Sequence, residues 1–375
     1  MADKTGGVAA TAAERPAQRD NVWPQVLMLA RALLASPQRK ALMALAMGLA
    51  AVVAATATGQ IEINAWNQPF YDALWRKDLR SFIYQLGVFV AIASGLLTLN
   101  VSQAWLNQMT KLKLREGLTQ LLFDEWLEPK RALKLTGAGE IGINPDQRIH
   151  EDTRHLVELS TDLGVGLFQA TLLLASFSGV LWYLSSGIAF AVKGQSFSIP
   201  GYMVWCALLY AGAGSWLSWR VGRPLVKLNT ERYAREADLR AALARVIVDV
   251  GYYGGETDGK HRLRKEFEQV LRITRRLVTG ITRLTWVTGG YGWFAIVAPI
   301  VVAAPGYFTG NLSLGALMVA VGAFNQVQQA LRWFVDNFSL LADWRATLLR
   351  VASFYLALVD MDAIVDETIG SNYFV

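Results

Sequence analysis

Apolar residues in this chain come in long unbroken stretches rather than in the alternation of a strand or the single stripe of a surface helix. From Leu284 to Leu331 there is no Asp, Glu, Lys, Arg or His, and only Pro305-Gly306 interrupts the run. A helix needs roughly 20 apolar residues to cross a hydrocarbon core, so this stretch predicts two spans folded back at the Pro-Gly pair. Similar uncharged windows lie at Ala41–Ile61, Ser81–Thr110, Leu163–Val192 and Gly194–Trp219. The expected fold class is therefore an all-α membrane protein with six transmembrane helices.

Between the spans the pattern becomes helical and amphipathic. Trp23–Pro37 is apolar on one side with Arg31 on the other, which predicts an interfacial helix before the first span. Span one is expected from Ala41 to about Thr58 and span two from Phe82 to about Leu99. The second continues past the membrane, because Trp105, Leu106, Met109, Leu112, Leu121, Leu122 and Trp126 recur at helical spacing. Gly137-Ala138-Gly139 breaks the chain there. Asn144-Pro145-Asp146-Gln147 reopens it, with Asn as N-cap, Pro at the first helical position and Gln able to reach back to the cap. Span four is expected to end near Arg220, and a new amphipathic helix to follow from Pro224 until Gly251 and Gly254-Gly255 interrupt it. A charged helix, Lys260–Arg276, leads back to span five, and a last helix covers Leu340–Leu358. Each long helical pair extends about 20 residues, or roughly 30 Å, beyond the membrane. The expected domains are a disordered tail over 1–22, a six-helix membrane domain with cytoplasmic levers over 23–358, and a short tail over 359–375.

Charge fixes the expected orientation. Arg220–Arg283 carries 15 Lys+Arg and Lys111–Arg154 carries 8, whereas the other loops carry few. Positive-inside counting places both basic segments and both termini in the cytoplasm. This also accounts for the net charge of +6 without nucleic acid as a partner. The chain is 53% hydrophobic, and many of its 13 Trp fall near span ends, as an aromatic belt would. The first residues lack an apolar signal-peptide region. Cys206 is the only cysteine, so no intrachain disulfide can form.

Few motifs carry chemistry. Gly254-Gly255-Glu256-Thr257-Asp258-Gly259-Lys260-His261 approaches a phosphate loop, but His261 stands where Ser or Thr must supply a hydroxyl to Mg²⁺. Two carboxylates inside the loop would also repel phosphate. No nucleotide site, catalytic residue, metal site or cofactor is therefore expected on this chain, and ATP would act only through a partner ATPase. His150 and His155 are five apart, about 140° around a helix, and poorly placed to share a metal. Glu62, Asp72 and Asp336 lie near span ends, where either a solvated interface carboxylate or a proton-linked one fits. Asn325, Gln326, Gln328 and Gln329 place four amides in one span. They mark either a water-containing translocation pathway or helix–helix hydrogen bonding.

Several strings resemble one family: Asn64-Ala65-Trp66-Asn67-Gln68-Pro69-Phe70-Tyr71-Asp72-Ala73-Leu74, Asn144-Pro145-Asp146-Gln147-Arg148-Ile149 with Glu151-Asp152, Gly222-Arg223-Pro224-Leu225, Tyr253-Gly254-Gly255-Glu256, and Phe334-Val335-Asp336 with Trp344-Arg345-Ala346. They resemble the membrane domain of SbmA/BacA-like proteins, above all the ATPase-fused branch related to peroxisomal fatty-acyl ABC transporters. The resemblance implies an ABC exporter-type transmembrane domain, a homodimer in the lipid of a bacterial inner membrane, and lever turns that couple to nucleotide-binding domains. By it, Asn144, Pro145, Asp146, Gln147, Arg148, Asp152, Gly254, Gly255 and Glu256 are the coupling residues. The fused relatives continue into an ATPase, and this chain ends about twenty residues after Phe354, so a separate nucleotide-binding subunit is expected. The function implied is a permease for peptides, cobalamin-like or other amphipathic cargo. The alternatives are a proton-driven SbmA/BacA-type peptide importer and an inactive or scaffold membrane protein from a truncated gene.

The charge asymmetry yields a direct test of topology. Cysteines placed at Lys130 and Lys260 in a Cys206→Ser background should resist impermeant thiol reagents in intact cells and react once the membrane is opened. Labelling of either site from outside would reverse the orientation.

Overall fold

The computed structural model describes residues 22–35, 37–128, 144–186, 190–192, 195–197, 199–253 and 256–372. In chain order the helices are α1 (Trp23–Ala35), α2 (Arg39–Trp75), α3 (Leu79–Trp126) and α4 (Pro145–Ser186). A two-stranded antiparallel hairpin follows, β1 (Phe190–Val192) with β2 (Gln195–Phe197). Then come α5 (Tyr202–Tyr253), α6 (Glu256–Phe308), α7 (Leu314–Asp336) and α8 (Phe338–Asn372). The chain is thus helical as expected, apart from the short hairpin, which gave no periodic signal.

Among the described residues, four helices are long and apolar enough to cross a membrane: α2, α3, α4 and the Gly259–Phe308 part of α6. The other two segments expected to span lie in α5 and α7 and fall outside that set. Glycines, serines and tryptophans dilute the first turns of α5, and the four amides dilute α7. At 37 and 48 residues, α2 and α3 measure about 55 and 72 Å, well beyond the roughly 30 Å of hydrocarbon.

Tertiary contacts divide the chain into two compact units. The first comprises Met1–Ile63, Gly87–Leu172 and Trp333–Val375. Its core joins Leu29 of α1, Leu118 and Leu122 of α3, Ile149, Leu156 and Val157 of α4, and Leu348, Val351, Phe354 and Leu358 of α8. α1 is thereby seated on this core through Leu29. Polar bonds fix the same helices: Trp344 Nε1 donates to Ser160 Oγ at 2.9 Å, and Lys111 pairs with Asp162 at 2.7 Å.

The second unit comprises Asn64–Leu86 and Leu173–Arg332. Here α5 and α6 run antiparallel, with Gly222 facing Leu284 and Gly280 facing Leu225. α7 buries Ala316, Leu317, Ala320, Ala323, Phe324 and Val327, one apolar stripe at helical spacing. Against it packs the C-terminal part of α2. A Cβ on Gly315 would overlap the backbone carbonyl of Gln68, and one on Gly322 would overlap the Asn64 amide. Only glycine permits this approach. Asn64 Nδ2 also donates to the Val319 carbonyl at 3.2 Å. Where the chain turns into α3, Asp78 caps the helix: its carboxylate accepts from Ser81 Oγ at 2.6 Å and from the Arg80 and Ser81 amides at 3.1 Å. The Ser81 bonds hold its carboxyl below the usual range.

Several expected boundaries move. α2 does not stop at Thr58 but runs through Pro69 to Trp75. No new helix starts at Pro224, and α5 is continuous through it and through Gly251. The fold-back is not at Pro305-Gly306, since both residues lie inside α6, whose last turn is closed by Thr309 N–H donating to the Pro305 carbonyl. The helix ends only where Gly310 takes φ 80°, a left-handed stop that glycine adopts freely. Proline removes one donor, yet the surrounding helix keeps its other bonds in a medium that offers none in exchange. α8 likewise runs on to Asn372 rather than ending near Leu358.

The close α2–α7 contact makes a stability prediction. Gly315→Ala should destabilise the folded chain by about 1–3 kcal/mol through overpacking against a backbone atom. Gly87→Ala in α3, where a Cβ meets nothing within 4 Å, should be neutral or slightly stabilising. Thermal unfolding in detergent checks both, and equal midpoints for Gly315→Ala and the native chain would contradict the packing described.

Candidate functional site

In the first unit, the start of α4 is an exposed helix end bolted down from behind. Asn144, Asp146, Gln147, His150 and Glu151 are exposed, Arg148 is half-buried, and Ile149 and Asp152 are buried. Arg148–Asp152 forms a π-helical turn, and the ladder resumes as α-helix at Thr153. Asp152, only 6% exposed, accepts from Arg148 Nη1 at 3.0 Å and from Arg350 of α8 through Nε at 3.2 Å and Nη2 at 3.0 Å. Arg350 Nη2 donates also to Thr347 Oγ1 at 2.9 Å. A buried carboxylate is costly unless paired and hydrogen-bonded, and the two guanidiniums meet that requirement. Further along, His155 Nε2 lies 2.7 Å from Asp343 Oδ2.

The cap differs from expectation. Asn144 adopts φ 56° and ψ 59° and makes no side-chain cap bond, so the predicted Asn–Gln capping box is absent. In the left-handed region its side chain cannot take the position of an N-cap acceptor, which requires extended backbone. Its carbonyl still accepts from Arg148 N–H at 3.2 Å. The residues expected to couple thus have two kinds of setting: Asn144, Asp146 and Gln147 are outward, while Arg148 is tied to Asp152 and Asp152 to Arg350 of α8. Gly254 and Gly255 lie outside the described residues, and the backbone of Glu256 opens α6. Gly259-Lys260-His261 is helical, so this part of the near-phosphate-loop string is not a loop.

The second unit holds a polar cluster amid apolar helices. Tyr210 of α5 and Tyr291 of α6 stack at 4.4 Å, and each hydroxyl donates to the other's backbone carbonyl, at 2.8 and 3.2 Å. Gln328 Nε2 donates to Tyr291 Oη at 3.1 Å, and the Arg332 guanidinium lies 5.9 Å from the Tyr291 ring. The four amides therefore do not share one environment. Gln328 is buried as helix–helix bonding, Asn325 and Gln326 are half-buried, and Gln329 is exposed. Asp72 is not a loose interface carboxylate: Oδ2 accepts from Ser313 Oγ and Oδ1 from Gly315 N–H, both at 2.9 Å. It caps α7 from α2, across the chain. Glu62 and Asp336 are exposed.

Sequence reasoning missed Arg350, Tyr210, Tyr291 and Arg332. Arg350 sits on an ordinary charged helix, and nothing local marks its reach to Asp152. The two tyrosines in otherwise apolar windows were the available signal, since a buried phenol needs a partner.

The family model for ABC transporter transmembrane region 2 matches residues 29–308. Among curated proteins, the chain is 27% identical over 301 residues to the inner membrane ABC transporter ATP-binding protein YddA of Escherichia coli, covering 79% of this chain and 54% of that protein. It is 28% identical over 312 residues to ABC transporter D family member 2, chloroplastic, of Arabidopsis thaliana, covering 82% and 42%. An uncharacterized ABC transporter ATP-binding protein of Haemophilus influenzae is 25% identical over 317 residues, with 81% and 52% covered. The chain spans about half the length of these relatives.

The Asp152 pairing can be tested directly. Arg350→Ala removes charged hydrogen bonds to a buried carboxylate and should cost about 1–3 kcal/mol. Arg350→Lys keeps the charge without the planar fork and should fall between. Adding Asp152→Asn should recover part of the loss. Thermal unfolding of the native chain, these three variants and Asp152→Asn alone checks this, and additive losses in the double variant would show that the two residues are not coupled.

Proposed function

The chain belongs to the ABC transporter transmembrane region 2 family, and from that membership we propose that it is the permease part of an ABC-type transporter. It would cross a bacterial inner membrane six times, with α5 and α7 supplying the two crossings beyond the four helices of clear span character. Two copies would enclose one translocation cavity for peptides, cobalamin-like compounds or other amphipathic cargo. Energy would come from a nucleotide-binding ATPase rather than from these residues. The names of the relatives, which call them ATP-binding proteins, support that partnership.

The observation that carries the reading is the start of α4. Its outer face presents Asn144, Asp146 and Gln147, while Asp152, Arg350 and the apolar core hold its inner face to α8. A helix end exposed on one side and anchored on the other can transmit a push without bending. Asp146 also lies in the first turn, where a carboxylate complements the helix dipole and can meet hydrogen-bond donors of a partner. By the same reading Gln328 and the tyrosine pair hold the span region together, and the half-buried Asn325 and Gln326 line the route.

Uptake of a labelled peptide into vesicles, driven by ATP or by an imposed pH gradient, tests the assignment. Asp146→Ala and Gln147→Ala should cut ATP-driven transport by tenfold or more, on the order of one lost 1.4 kcal/mol contact, with expression and insertion unchanged. Normal transport in both variants, combined with loss on Glu62→Gln or Asp336→Asn, would favour the proton-driven importer. Indifference to all four would leave the non-transporting scaffold.

A further inference from the structure

The paired α5 and α6 carry a band of positive charge that nothing in the described chain neutralises. Their register, with Gly222 beside Leu284 and Gly280 beside Leu225 and Leu228, brings Arg220–Lys227 level with Arg275–Arg283. These two stretches hold Arg220, Arg223, Lys227, Arg275, Arg276 and Arg283, and not one Asp or Glu. All six cations are exposed. None makes an ion pair among the described residues, and the pairs of α5, Arg232–Glu236 and Arg235–Asp238, begin further along the helix.

On one side of the band the surface turns abruptly aromatic and apolar. Trp216, Trp219 and Trp286 are 62%, 57% and 78% exposed, and Trp293, Phe294 and Val297 follow along α6. The Arg223 guanidinium sits 5.4 Å from the Trp219 ring. Exposed indoles beside hydrocarbon-facing side chains mark the level of a membrane interface, and the cations lie immediately outside it.

We infer that this band binds the headgroups of anionic phospholipids in the leaflet that meets the start of the apolar part of α6. The charge alone would suit any polyanion. Its continuity with the indoles and the apolar surface selects one whose anionic groups lie in a plane next to hydrocarbon. Each Lys or Arg near such a surface strengthens binding about fivefold, so the band acts as a multivalent anchor. The inference rests on the membrane placement of α6 and needs neither an ATPase nor any cargo.

The test reconstitutes the full chain in nanodiscs of equimolar phosphatidylcholine and phosphatidylglycerol, then counts the lipids retained on the protein by native mass spectrometry. The native chain should retain phosphatidylglycerol preferentially. Arg220→Gln with Arg275→Gln and Arg276→Gln should lower that preference about tenfold or more, with thermal unfolding unchanged because these side chains are unpaired. Lys260→Gln with Arg262→Gln and Arg264→Gln, which removes the same charge from the first turns of α6, should retain it. An equal lipid ratio in all three proteins, or an equal fall in both variants, overturns the site. Displacement of the lipid by inorganic phosphate would reassign it to free anions and overturn the headgroup reading. Normal lipid preference together with unaltered transport in the α4 variants would count against the permease reading alone.

Discussion

Hydrocarbon offers no hydrogen bonds, so every amide that enters it must find a partner within the chain. The architecture depends on that constraint. It explains why α6 runs unbroken through Pro299 and Pro305, where a water-soluble helix would more readily end. It also explains why the free amides at the start of α7 are met by a carboxylate borrowed from another helix. Asp72 satisfies Gly315 N–H and Ser313 Oγ, and this works only because Gly315 and Gly322 let α2 lie against α7.

The same economy governs the polar groups inside each unit. Tyr210 and Tyr291 satisfy one another's carbonyls and leave a hydroxyl for Gln328. Asp152 is satisfied by two arginines. In each case a polar side chain joins helices distant in sequence, which apolar packing alone would leave free to slide. A buried polar contact has a definite geometry, and a mismatched one leaves a desolvated group unpaired. These contacts therefore specify which helix faces meet, beyond whatever stability they add.

Function falls on what these fixed contacts leave over. Where Asp152 anchors α4, Asp146 and Gln147 remain outward, and where α5 and α6 pack by small residues, their cations and tryptophans remain outward. On the proposed readings, the first surface meets a partner and the second meets the bilayer.

The sequence by itself determined that this is a helical membrane protein, and roughly where its apolar stretches lie, because the length of an uncharged run answers to the thickness of hydrocarbon. It also marked Asn144–Asp152 as the start of a helix, since Pro after Asn favours the first helical position. Local rules failed where bonding is not local. A Pro-Gly pair reads as a turn, yet Pro305 and Gly306 stay helical and Gly310 ends the helix. Asn144 reads as a cap, yet it takes a left-handed conformation and caps nothing. Asp72 reads as an interface carboxylate, yet it caps a helix that begins 242 residues later, at Leu314. Only the tertiary structure could decide these, because the partner that satisfies each backbone group or buried charge is chosen by which helices pack together.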